Sequence, residues 1–374
     1  MTKNILLSQD YLQKIQTQSI VNPKCRIRAN NDLEAIDRWL DEYFEKPTTF
    51  RTYKKEAERF LLWVWYEQQK RLSLLTREDI DCYVEFLKNP NIKSWKPQIV
   101  NLKSDWYPFR KPLSSASIKA SLTILNSMMQ YLMQAYYLEF NPFVLVRKKG
   151  QFKNSVAEQA IQVQERILQP QEWKIFLQAA NSYSQNDFKE QQKKSRLLFL
   201  LSTFFYLGLR LEELSNARWC DFRKVNQKWW FFVKGKGDKL GKIPINSFFL
   251  KDIITYRHFL GLPILPNELD SDFVFTSIDS KQKLSCRHIS NIIKEVAVKA
   301  ADLCKDNVYM SEKMKKISPH WLRHLSASKQ DLAGISFTNI SQNLRHQNEQ
   351  TTRHYIHSFD DERHNQMEKL KIFE

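Results

Sequence analysis

Seven glycines in 374 residues set the tightest limit on what this chain can fold into. Tight hairpins, bulges and repeat corners draw on glycine, so the count argues against a glycine-rich β or repeat architecture. Apolar residues instead recur three and four apart, the period of an amphipathic helix. "DLEAIDRWLDEYF" begins the pattern. "TFRTYKKEAERFLLWVWYEQQK" (49–70) reads as a second helix, with Thr49 or Thr52 as its cap and Arg51, Lys54, Lys55 and Arg59 along it. "TREDIDCYVEFLKN" (76–89) opens on a Thr-x-x-Asp capping signature and reads as a third. "SSASIKASLTILNSMMQYLMQAYYL" (114–138) is the fourth.

Between the third and fourth helices lies a Pro-, Trp- and Lys-rich connection (90–113), too long for a routine loop. The polar, aromatic-poor stretch after residue 146 reads as an interdomain linker. A new amphipathic helix starts at "QPQEWKIFLQAANS". The second half is mostly helical, with one exception. "KWWFFVKGKGDKLGKIPI" (228–245) alternates and carries Gly235 and Gly237 near its centre, so it reads as a β-hairpin or small sheet.

The net charge of +17 asks for a polyanionic partner. Residues 1–164 carry +8 of it and residues 165–374 carry +9, as in two halves of one clamp on nucleic acid. Five well-separated cysteines without a CxxC pair suit a reduced cytoplasm and argue against a disulfide framework or zinc knuckle. The N-terminus lacks a signal-peptide layout. The apolar run "LLFLLSTFFYLGL" (197–209) is too short to span a bilayer and reads as a buried helix.

Four segments carry chemistry. Six of the eight histidines lie at or beyond residue 320, and "LRHQNEQTTRHYIH" (344–357) gathers cations and imidazoles around one phenol. His354 and His357 are three apart, yet no Cys, HExxH or paired-carboxylate pattern accompanies them, so no metal site is expected. In "SPHWLRHLSAS", Pro319 suits a helix start, and His320 and Arg323 leave from one face. They suit a phosphate, or else a salt bridge and a helix cap. In "YLGLRLEELSNARWCDF", Arg210 stands at the mouth of the buried run with Glu213 three residues on, either as a structural ion pair or as a site. The lysines of "VKGKGDKLGKIPI" sit on a glycine-flanked turn that can reach into a groove, though the stretch is no Walker loop.

Taken in order, the boxes "GLRLEEL", "GKGDK", "PHWLRH" and "RHQNEQTTRHYIH" resemble those of the tyrosine recombinases, the phage-integrase or Xer-like enzymes. The resemblance implies a mainly α chain with a small β-sheet. Its parts would be an N-terminal arm (1–28), a helical core-binding, DNA-binding domain (29–146), a linker (147–165) and an α/β catalytic domain with a C-terminal tail (166–374). It places Arg210, Lys236, His320, Arg323, His346 and Tyr355 on catalytic positions, and Glu213 and Asp221 on supporting ones. His357 matches a common non-catalytic position, and His354 reads as a surface or helix-end histidine. One residue departs from the pattern. The family usually has Gly before the last-box histidine, and here Arg345 stands there, which either alters the turn or adds a phosphate contact.

The resemblance also supplies a chemistry. A phenol, with a pKa of about 10, is a poor nucleophile at neutral pH. Fixed cations around a phosphodiester stabilise the charge that builds when it is attacked. Arg210 and Arg323 would fork onto non-bridging oxygens, His346 would donate another hydrogen bond, and His320 would accept the phenolic proton or position the phosphate. Lys236, between two glycines, would protonate the leaving 5′ oxygen, while Lys234 and Lys239, with Arg51, Lys54, Lys55 and Arg59 of the first domain, would contact the DNA. The product is a 3′-phosphotyrosyl intermediate that needs no metal, ATP or other cofactor. The implied setting is a bacterial, phage or mobile-element protein of the cytoplasm, on the nucleoid. It would perform site-specific recombination or integration on double-stranded DNA, as a tetramer assembled through the tail, with accessory DNA-bending proteins where the site needs them. The rival readings are a type IB topoisomerase-like enzyme and a DNA-binding protein without catalysis.

Overall fold

Residues 23–90, 111–146, 167–184, 186–234 and 240–345 are described by a computed structural model of the chain. The first 22 residues of the expected arm, the connection at 91–110, the linker at 147–165 and everything from residue 346 lie outside them. The protein is mainly helical, with one small three-stranded sheet among the described residues. The chain divides into two units, Met1–Val156 and Ala157–Glu374.

In the first unit, Asn31 caps α1 (Asp32–Asp41) by accepting from the Glu34 N–H at 2.9 Å. Helix α2 (Pro47–Trp63) starts two residues before the expected threonine-led stretch. Neither threonine caps it: Lys46 is the N-cap residue, and Thr52 donates back to the Thr48 carbonyl at 2.9 Å. Pro47 governs the start because its φ is already helical and its missing N–H would have had no partner there. A π-helical turn, Val64–Gln68, ends this element at Gln69, which is left-handed (φ 51°). Helix α3 (Arg77–Lys88) has the capping box read from the sequence. The Thr76 N–H donates to Asp79 at 2.8 Å, and the Asp79 N–H donates to the Thr76 hydroxyl at 3.4 Å. Helix α4 (Ser115–Gln134) is capped by Ser114.

The apolar faces of these helices meet around Trp39, Phe60, Trp63, Tyr83, Leu125 and Met128, all at most 1% exposed. Burying one such side chain contributes roughly 1.5–3 kcal/mol, and Trp39 also stacks on Tyr53 at 5.3 Å. Arg59 corrects an expectation. It was read as one of four basic residues along α2 open to DNA, but it is 4% exposed and ion-paired with Glu56. Helical spacing puts it three residues after the buried Glu56 and four before the buried Trp63, on the side that faces the core. Arg51 and Lys55 are exposed; Lys54 is half-buried and lies 3.6 Å from Glu58.

In the second unit, α5 (Pro170–Asn181) is followed by α6 (Phe188–Leu207), which carries the apolar run into the core. Phe199 of α6 contacts four rings: Trp219 (5.8 Å), Phe249 (5.9 Å), Tyr256 (4.5 Å) and Phe275 (5.7 Å). After the short α7 (Leu211–Asn216) come β1 (Phe222–Val225), β2 (Lys228–Lys234) and β3 (Leu240–Pro244), antiparallel in the order β1-β2-β3. Phe222 pairs with Phe231, and Phe231 with Ile243. Alternation therefore turns these three side chains to the core and their neighbours outward. Helices α8 (Ser247–Phe259), α9 (Cys286–Leu303), α10 (Val308–Lys315), α11 (Pro319–Leu332) and α12 (Phe337–Leu344) follow among the described residues. Helix α11 packs on α6, and α12 packs on α11 and β3. Among the described residues, no helix is long and apolar enough to cross a membrane.

Candidate active site

Helix α6 cannot continue past Leu207, because Gly208 is left-handed (φ 54°) and its N–H closes the helix on the Phe204 carbonyl at 3.0 Å. A Cβ at Gly208 would sit 2.7 Å from Leu344 Cδ2 and 2.9 Å from Ser326 Oγ, so side-chain-free backbone is required here on two counts. The chain then extends through Arg210 and re-enters a helix at Leu211. Glu213, in the first turn of α7, closes that turn by accepting the Arg210 N–H at 2.7 Å. It also takes the Arg210 side chain, with Nη1 to Oε1 at 2.9 Å. The pairing expected between these residues is present, with Arg210 40% exposed and Glu213 7%.

Two more guanidiniums converge on this carboxylate from distant parts of the sequence. Arg323 projects from α11, just after its Pro319 start, and is 5% exposed. It donates Nη1 to the Gly208 carbonyl at 2.6 Å and Nη2 to the Leu344 carbonyl, and its Nη1 lies 4.0 Å from Glu213 Oε2. Arg345 follows α12 and adopts a left-handed backbone (φ 54°, ψ 47°), the conformation that favours glycine. Its side chain turns back, with Nη2 2.5 Å from Glu213 Oε2, Nε 3.4 Å from Oε1, and Nη1 donating to the Asn343 carbonyl at 2.6 Å. Its carbonyl accepts Arg210 Nη2 at 2.9 Å.

Glu213 thus meets three cations. Burial pulls its carboxyl pKa up, but the Arg345 guanidinium, and then hydrogen bonds from Arg345 and Arg210, outweigh burial and hold it below its ordinary value. Burial pushes the Arg345 guanidinium down from its ordinary value, opposed by Glu213. Three guanidiniums converge on one carboxylate among the described residues, with Arg210 the most exposed of them. Guanidinium groups held in fixed positions are suited to a phosphate, whose oxygens match their planar fork.

The other expected site residues divide. His320 is exposed on α11, with its ring edge-on to the buried His324 at 4.2 Å. Asp221 stands apart in the turn Trp219–Asp221. It accepts the Arg218 N–H at 2.8 Å, and burial raises its carboxyl pKa. Lys234 ends β2, exposed, in register with Leu240 of β3. Lys236, Lys239, His346, His354, Tyr355 and His357 lie outside the described residues. The pairing of Arg345 with Glu213 was not foreseen. The sequence signal was the missing glycine, but the partner lies 132 positions away.

A family model described as the phage integrase family matches residues 166–362, more than half of the chain. The tyrosine recombinase XerS of Streptococcus uberis is 24% identical over 374 residues, spanning 91% of this chain and 97% of its own. A tyrosine recombinase of Thermosipho africanus is 23% identical, spanning 86% and 93%. Among solved structures, XerH site-specific recombinase bound to palindromic difH substrate, a post-cleavage complex, shares the fold with a TM-score of 0.59 at 16% identity, over 92% of this chain and 85% of that one. The Tn1549 transposon integrase in complex with circular intermediate DNA gives 0.57 at 15%, over 90% and 98%. Fold and kinship together define an enzyme that breaks and rejoins DNA. The chain belongs to the phage integrase family, the tyrosine recombinases.

Proposed function

We propose that the protein recombines specific DNA sites through a covalent 3′-phosphotyrosyl intermediate formed by Tyr355. The observation that carries this reading is the convergence of Arg210, Arg323 and Arg345 on the single carboxylate of Glu213. Guanidiniums held in place on one carboxylate suit a phosphodiester. Two of the five Arg210 N–H groups hold its guanidinium against Glu213 and the Arg345 carbonyl. Its remaining donors would take a non-bridging oxygen, in the planar fork geometry that phosphate favours.

In the proposed step the Tyr355 phenolic oxygen attacks phosphorus and passes its proton to His320. The bond from phosphorus to the 5′ oxygen breaks, and that oxygen takes a proton from Lys236. Arg210, Arg323 and His346 stabilise the charge on the non-bridging oxygens; each such donor is worth roughly 3–4 kcal/mol in the transition state. Religation runs the same exchange backwards on a different 5′ hydroxyl. Asp221 supports the site at one remove, through the turn that leads into β1. Arg51, Lys54, Lys55, Lys234 and Lys239 would contact the DNA backbone. DNA as the partner is supported by XerH and the Tn1549 integrase, both solved on DNA. Strand exchange needs two duplexes and four subunits, and we assign the assembly contact to the apolar residues Met367, Leu370, Ile372 and Phe373 of the tail.

The test is to incubate the enzyme with duplex fragments covering the DNA that flanks its own gene, in excess chelator, and to run a denaturing gel. A protein-linked DNA species is expected. Its absence on every fragment, with DNA binding intact, would contradict the reading.

A further inference from the structure

Arg345 occupies a position where the backbone favours glycine, and Gly241 occupies one where it does not. Arg345 is left-handed at φ 54°. Gly241 lies within β3, paired with Val233, where glycine packs nothing and weakens a strand. The two anomalies touch. A Cβ built on Gly241 would lie 2.7 Å from Arg345 Cδ and 3.2 Å from Cγ. The Arg345 stem therefore packs against β3 at Gly241, where a side chain would collide with it, and its head reaches Glu213.

We propose that Arg345 is a positioning residue for cleavage, a lock that ties the turn before His346 to both β3 and Glu213. The proposal rests on the cleavage reading above. Four attachments define the lock. The Arg345 head holds Glu213, which in turn holds Arg210. The Arg345 carbonyl accepts Arg210 Nη2. Its Nη1 closes on Asn343 at the end of α12. Its stem packs on Gly241. Helix α7, β3 and the segment entering His346 are thereby fixed on one side chain.

The lock also sets the charge state of the site. Glu213 is faced by Arg210 from the start of its own helix, by Arg323 from α11 and by Arg345 from the end of α12. Burial opposes its ionisation, and Arg345 is the strongest influence against burial. Without Arg345, Glu213 takes up a proton at a higher pH and loosens its hold on Arg210.

Arg345→Gly is the informative variant, because glycine accepts the left-handed backbone and keeps the carbonyl that Arg210 uses. It should bind the flanking-DNA fragments as the wild type does, yet form covalent adduct about 10–100-fold more slowly, the effect of a misplaced catalytic group. The acid limb of its rate profile should move to higher pH, and Arg345→Lys should move that limb part of the way back. A wild-type rate and profile in Arg345→Gly would overturn the proposal. The packing half is read without DNA, by thermal unfolding. Gly241→Ala should lower Tm in the wild-type background and much less in the Arg345→Gly background; equal losses in both would overturn the lock. If the wild type forms no adduct at all, the cleavage reading falls together with the role of Arg345 in it, while the unfolding cycle still decides whether the two residues are coupled.

Discussion

Arg323 comes within 4.0 Å of Glu213 but gives its two Nη groups to main-chain carbonyls, those of Gly208 and Leu344. One buried cation thus joins the end of α6 to the end of α12, the two segments that deliver Arg210 and Arg345. Arg323→Ala should have two separable effects. Leaving two buried carbonyls without their donor should cost about 1–3 kcal/mol of stability. Losing a transition-state donor should lower adduct formation by about 10²–10³-fold. Arg323→Lys keeps the charge without the fork, so it should recover part of the stability and little of the rate. Urea unfolding and adduct yield, measured on both variants, check this; a Lys variant with full activity would contradict it.

Gly208 answers to two demands, a left-handed backbone and close contact with Leu344 and Ser326. Gly208→Ala should destabilise by roughly 1–3 kcal/mol. Gly208→Asn separates the two causes, since Asn tolerates the left-handed region but still carries a Cβ. Asn should be about as damaging as Ala by denaturant unfolding. A tolerated Asn would mean that conformation alone sets the requirement.

Much of this scaffold was legible locally. Thr76 and Asp79 announced their capping box, Pro319 its helix start, and the alternation of 228–245 its paired strands, because each signal involves residues within a few positions. The pairing of Arg210 with Glu213 was legible for the same reason. Arg59 was misread because charge alone does not say which face of α2 meets the core. The start of α2 was misread because Pro47 outweighs two plausible threonine caps. The Arg345 contacts were out of reach of any local reading, since Gly241 meets it through the packing of α12 on β3 and Glu213 lies 132 positions away.

Glu58 gives a pH-dependent prediction in the first unit. Burial pushes its carboxyl pKa up to about 7; Lys54, 3.6 Å away, lowers it, and Asp37 adds to the rise. The folded state therefore holds a proton that the unfolded chain releases at about pH 4.3. Stability from this group is full below that pH, falls as pH rises towards 7, and is flat above. Glu58→Gln should raise Tm at pH 8 and lose that advantage near pH 4.5. An advantage that is equal at both pH values would show that Glu58 titrates normally.

Lys236 should act as the acid for the 5′ oxygen. Lys236→Ala should cleave ordinary DNA about 10²–10⁴-fold more slowly. It should recover on a substrate with sulfur at the bridging 5′ position, because a thiolate leaves without a proton. Arg210→Ala should recover only partly, since charge on the non-bridging oxygens is still unmet. Selective recovery by Lys239→Ala instead would move the acid to that lysine.

The central claim is that Tyr355 joins DNA covalently inside a cationic site whose described part is built on Glu213. The most direct measurement compares wild type and Tyr355→Phe on the same cleavable duplex, with DNA affinity from a native gel and covalent adduct from a denaturing gel. The account predicts near wild-type affinity for Tyr355→Phe and no adduct, on ordinary or 5′-thio DNA alike. A Phe variant that still carried covalently linked DNA would show that another residue is the nucleophile.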